Sequence, residues 1–197
     1  MGQDSKIRFS VETEVYISAA IMLMIIPIPW VTAWTCAMIL HESLHCISLY
    51  LLGYSVLEVS FTANGARIVS EHTTLLHGML CSLAGPIGSL LITPFLTMFP
   101  RVSVCVWIQS AFNLLPVYPL DGGQVLYNFF SCFTNNRLAE QLSNIISWST
   151  IVMIAGVSIT ASVWLKLGIT PLLIPVFLFL KTQRVKIPCK EALHRVQ

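Results

Sequence analysis

The chain has 197 residues, of which 55% are hydrophobic and only 10% charged, with a formal net charge of +2. A water-soluble domain carries about 25% charge, so composition excludes an ordinary soluble globule and points to an integral membrane protein. No basic stretch is interleaved with aromatic residues, which excludes a nucleic-acid partner.

In chain order, the start "MGQDSKIRFSVETEVY" is polar and mixed in charge, unlike a secretory leader. Spans of about 20 apolar residues are expected for bilayer helices, and six candidates follow at about 14–29, 31–53, 74–98, 102–132, 137–163 and 168–181. "PIPW" at 27–30 makes a turn between the first two, and Gly53 closes the second. Residues 54–72 carry β-branched residues on both sides of Asn64-Gly65, which predicts a short β-hairpin between the second and third helices. "PVYPLDGG" interrupts the fourth span. The expected fold is an all-α polytopic membrane protein, a single domain over 1–197 with that hairpin and a broken fourth helix.

Six cysteines form no CxxC pair, and five sit in apolar segments, as packing residues of a reduced compartment do. With the N-terminus inside, nine of the eleven Lys and Arg residues are cytoplasmic and only Arg101 and Lys166 lie outside. The positive-inside rule then predicts two cytoplasmic termini, with His41 and His45 in the cytoplasmic half of the second helix. Trp30, Trp34, Trp148 and Trp164 fall near span ends, where interfacial anchors belong. His72 and His77, near the start of the third helix, are expected at the same cytoplasmic interface.

"ILHESLHCISLY", residues 39–50, places His41, Glu42 and His45 at membrane depth, where an ionisable group costs on the order of 3 kcal/mol. His41 and His45 are four residues apart and project from one helix face. This is HExxH, in which two histidines bind zinc and the glutamate is the general base. A chain of this composition produces the pattern by chance roughly 0.004 times. Asp121, the only aspartate after Asp4, also lies at membrane depth in the broken segment. A carboxylate there needs a cation, and a zinc on the two histidines supplies one. Two histidines, one aspartate and a water form a catalytic set, whereas structural sites are closed by four protein ligands. The same ionisable residues would also suit a divalent-metal transporter or channel, although no internal repeat of the transporter kind is visible.

HExxH in an early span, "AGPIG" at 84–88 and "NLLPVYPLDGG" at 113–123 together resemble the site-2 protease family of intramembrane zinc metalloproteases. The resemblance implies one zinc per chain on His41, His45 and Asp121, with Glu42 as catalytic base. It makes the 54–72 hairpin a candidate substrate-pairing edge. Asn113, eight residues before Asp121 in the broken segment, is placed to donate to the substrate backbone or oxyanion. An inter-helix hydrogen bond is the other reading of Asn113. The compact layout is similar to the sporulation branch, typified by stage IV sporulation protein FB, which releases a pro-sigma factor in the bacterial cytoplasmic membrane. Neither a PDZ insertion nor a CBS domain is visible. The expected partners are a membrane-associated protein substrate, the lipid bilayer and inhibitory membrane partners. One position departs from the family pattern: Leu44 stands where a glycine usually precedes the second histidine. Gly85, Pro86 and Gly88 are expected to let the second and third helices approach closely.

Overall fold

The structure is a computed structural model that describes residues 8–62, 65–70, 73–164, 168 and 170–184. The chain divides into two compact units, one ending at Phe112 and the other beginning at Asn113.

The first unit starts with a strand, β1 (Arg8–Val11), followed by helix α1 (Thr13–Ile25) and helix α2 (Ile28–Leu51). Pro27 caps α2 and Pro29 lies in its first turn, where a missing N–H costs nothing because the first donors of a helix have no intrahelical acceptor. At the other end Gly53 takes φ +79°, a left-handed shape that favours glycine. Tyr54 N–H then reaches Leu49 O at 3.0 Å and Gly53 N–H reaches Tyr50 O at 3.0 Å, the paired bonds of a Schellman stop.

Strand β2 (Val56–Thr62) pairs antiparallel with β3 (Gly65–Ser70), with Glu58 opposite Val69 and Thr62 opposite Gly65. Ala63 and Asn64, the tip of the expected turn, lie outside the described residues, as do His72, Lys166 and Cys189. The sheet has a third member that the sequence reading did not anticipate. β1 pairs parallel with β2, Arg8 opposite Glu58 and Val11 opposite Phe61, and Ser10 Oγ–H donates to Glu58 at 3.3 Å. Four residues of mixed polarity give no local strand signal; their partner lies some fifty residues further on.

Helix α3 (Leu75–Ile92) begins at Thr74, whose hydroxyl accepts from His77 N–H at 3.3 Å. It ends earlier than the expected 98. Pro94 cannot donate to Leu90 O, so Thr93 supplies both its N–H and its hydroxyl to that carbonyl, and a 3-10 turn over Thr93–Leu96 follows. Helix α4 (Pro100–Asn113) packs Cys105 and Val106 against Ala33 and Ala37 of α2. Trp34 is half-buried and packs beside this cluster. Ser89 donates to Pro86 O at 3.1 Å, so the 2.9 Å contact between Ser89 and Ser110 is donated by Ser110.

In the second unit the irregular stretch 114–120 leads into helix α5 (Asp121–Phe133), followed by α6 (Asn136–Trp164), a 3-10 turn over Thr170–Leu172, and α7 (Leu173–Arg184). Helix α6 buries Ala139, Ser143, Ser147, Thr150, Ile151 and Ser158. That helical stripe of mostly small residues lets α5 and α7 pack closely. The expected fourth span, 102–132, is therefore two helices, α4 and α5, with an irregular backbone between them.

Irregular backbone at membrane depth survives only where its polar groups are satisfied, and side chains do this here. Tyr118 N–H donates to Ser147 Oγ at 3.0 Å, and Tyr118 O accepts from Thr182 Oγ1 at 3.1 Å. The peptide between Tyr118 and Pro119 is cis. Ser147→Ala should remove the Oγ acceptor of Tyr118 N–H and lower stability by about 1 kcal/mol. Unfolding in mixed micelles would measure this, with Ser149→Ala as a control, since among the described residues exposed Ser149 bonds only within its own helix, to Ile146 O. Equal midpoints for the two variants would remove Ser147 from this role.

Among the described residues two helical segments are long and apolar enough to cross a membrane, Leu75–Leu96 and Asn136–Trp164. Only 33% and 22% of their apolar windows are buried, whereas the core helix of a soluble protein would be mostly covered. Large apolar side chains such as Met24, Tyr50, Phe95, Met98, Val152 and Trp164 face outward. So extensive an exposed apolar surface needs a bilayer around it. The protein is a membrane protein.

Candidate metal centre

His41 continues the buried stripe of α2 begun by Ala33 and Ala37 and is only 3% exposed. Glu42, Leu44 and His45 are half-buried. The four-residue spacing stacks the two imidazoles on one face, with ring centroids 4.8 Å apart and edge to face.

Helix α3 fixes the second ring. His45 Nδ1 lies 2.6 Å from Cys81 O. A carbonyl only accepts, so Nδ1 carries the proton and Nε2 presents its lone pair. That Nε2 lies 3.2 Å from Nε2 of His41. Two nitrogens bound to one tetrahedral zinc at 2.0–2.1 Å stand about 3.3 Å apart, so the pair fits a shared ion.

Gly85 makes this packing possible. A Cβ built on it would overlap the His45 ring itself, so α3 provides a gap into which the imidazole fits. Gly88, one turn on, faces Leu44, and a Cβ there would stand 3.2 Å from Leu44 Cδ1. The bulk of Leu44 is thus accommodated across the helix pair by a glycine. The close approach expected from "AGPIG" is present, but its specific partners, one imidazole and one leucine, were not legible. Below this level, Tyr54 Oη and His77 Nδ1 are 2.8 Å apart, and Thr74 N–H donates to the same hydroxyl. This ties the end of α2 to the start of α3.

Asp121 is the first residue of α5 and half-buried. Its position is set by the two residues after it. A Cβ on Gly122 would collide with the backbone of Leu114 and Leu115, and one on Gly123 with that of Val117 and Tyr118. The loop folds back onto the first turn of α5, held by Leu120 N–H to Val117 O at 2.8 Å and Gln124 Nε2 to Pro119 O at 3.2 Å. One ligand atom from each of His41, His45 and Asp121 lies within 4.8 Å of the other two. The donor set suits zinc, and the cluster is compatible with zinc binding. Asn113, which ends α4, is half-buried and is not one of the three.

No family model matches the sequence, and no curated protein matches it. Among solved structures the chain is similar to the Site-2 Protease from Methanocaldococcus jannaschii, at 15% sequence identity and a TM-score of 0.67, over 96% of this chain and 97% of that one. The fold is that of a site-2 protease. Cys81, Ser147 and Thr182 are the supporting residues that sequence reasoning missed, and Gly85 was expected to allow close helix packing without its partner, His45, being legible. Gly85 was visible as part of a small-residue motif; a backbone carbonyl and two hydroxyls in apolar spans carry no signal of their own.

Proposed function

We propose that this chain is an intramembrane zinc metalloprotease that hydrolyses a peptide bond in or near the membrane segment of a regulatory protein. The observation that carries the reading is the convergence of His41, His45 and Asp121 on a lipid-embedded scaffold. The three residues would hold one zinc, which supplies Lewis acidity toward a peptide carbonyl and lowers the pKa of water toward about 7.

Glu42, next to the first histidine, takes a proton from the attacking water and delivers it to the leaving amine. Cys81 O keeps the His45 proton on Nδ1, so that Nε2 stays available to the metal. The substrate segment unwinds and adds to the sheet as a strand. β2 is flanked on both sides, which leaves outer edges on β1 and β3; within the 54–72 hairpin the outer edge is that of β3, and it is the edge we assign to the substrate. Asn113 donates to the substrate backbone or to the oxyanion. The inferred substrate class is a membrane-tethered regulatory protein, and a pro-sigma factor is the member suggested by the sporulation-branch resemblance. The site is assigned to the cytoplasmic side of a bacterial cytoplasmic membrane, with both termini in the cytoplasm.

The test is purified protein in liposomes with a panel of membrane-tethered substrates. Protease function predicts about one zinc per chain, cleavage that a chelator abolishes, and no passage of zinc across the bilayer. Wild type that moves zinc and cuts nothing would instead be a divalent-metal transporter.

A further inference from the structure

A cavity of about 330 Å³ opens between the N-terminal turns of α2 and the start of α4, at the far end of α2 from the histidines. Cys36, the lining residue of α2 nearest the histidines, is five residues before His41, roughly 7.5 Å along the helix axis, and none of His41, His45 and Asp121 lines the cavity. Its walls are largely apolar, with Ala33, Phe99 and Val102 among them, and Cys36 adds a free thiol. The polar exceptions are Thr32, whose hydroxyl donates to Pro29 O at 3.1 Å, and Arg101, exposed on the lining.

The backbone adds to this charge. The first donors of a helix have no intrahelical acceptor. In α4, Pro100 has no N–H and Ser103 N–H already reaches Phe99 O at 3.1 Å. The peptide N–H groups of Arg101 and Val102 have no backbone acceptor among the described residues. A guanidinium and two open N–H donors thus sit on the rim of an apolar hollow, inside a protein whose surroundings are lipid.

We propose that this cavity seats an anionic membrane phospholipid. The phosphate would lie on Arg101 and the first turn of α4, with the upper part of one acyl chain against Ala33, Cys36 and Val102. Both halves of the lining find a complement in that ligand. A free anion would leave the apolar walls uncovered, and a neutral hydrocarbon would leave the donors unpaired. Arg binds phosphate through parallel N–H donors, and a lipid held this way would fix the depth of α2 and α4 in the bilayer.

The experiment uses the full chain in nanodiscs of equal phosphatidylglycerol and phosphatidylcholine, released and weighed by native mass spectrometry. Wild type should retain phosphatidylglycerol in preference to phosphatidylcholine. Arg101→Gln should cut that preference about tenfold, the size of one charge-assisted hydrogen bond, and Arg101→Lys should restore part of it. Cys36→Phe, which fills the hollow, should lower retention of the lipid altogether. Zinc content reports that each variant is folded. Equal preference in wild type and Arg101→Gln would overturn the proposal, as would undiminished retention by Cys36→Phe. Complete displacement of the lipid by excess inorganic phosphate would reassign the site to a free anion and overturn it too.

Discussion

Glu42→Gln should hold about one zinc per chain and leave a tethered substrate uncut. Glutamine keeps the size and the polar oxygen of glutamate but cannot accept the proton of water at any pH of interest. Glu42 is also outside the convergent set of His41, His45 and Asp121, so metal content should not change. Loss of a positioned general base costs about 10²–10⁴-fold, and the second role of Glu42, returning the proton to the amine, raises the loss toward the upper end. Asp121→Asn and His45→Ala belong to a different class, in which zinc occupancy falls together with cleavage. Elemental analysis and a cleavage assay on the same preparations separate the classes. Undiminished cutting by Glu42→Gln would end the proposed mechanism.

Gly85→Ala should lose zinc without touching any ligand. The added methyl would occupy the space of the His45 imidazole, and overpacking of this kind costs about 1–3 kcal/mol when the surroundings must shift. Either the ring turns away from Cys81 O and from His41, or α2 and α3 separate. Both outcomes scatter the ligand atoms. Disturbing the outer shell of a metal site commonly costs 10–100-fold in affinity, and here the ligand itself is displaced, so at least that loss is expected. Competition with a chromophoric chelator would measure it. Gly88→Ala is the matched control: its neighbour is the flexible end of Leu44, which gives way by a few tenths of an ångström. Full zinc affinity in Gly85→Ala would show that His45 does not depend on the gap.

How much of this was legible beforehand depended on the distance over which each signal acts. The His41–His45 pair is a property of one helix, and a spacing of four residues on an apolar background declares it. Asp121 stood out by rarity, as a lone aspartate beside two glycines and two prolines. The reason for those glycines became visible only with the loop folded against them. Helix ends shifted where a single proline decided, as Pro94 did for α3. β1 was missed because parallel pairing is written in the partner rather than in the strand. The Cys81 carbonyl was missed because a backbone acceptor has the same letter code wherever it points. Ser147 and Thr182 were indistinguishable from the other hydroxyls of the spans until Tyr118 lay between them.

The pairing of β1 with β2 also settles a matter of parity. Residues 8–11 and residues 56–62 belong to one hydrogen-bonded sheet, and a sheet cannot be shared across a bilayer. The chain that leaves β1 through α1 and reaches β2 through α2 must therefore finish on the face from which it began. However deep each helix goes, the two together make a round trip. The number of crossings between the N-terminal strand and the β2–β3 pair is even, a constraint that holds without counting a single lysine or arginine.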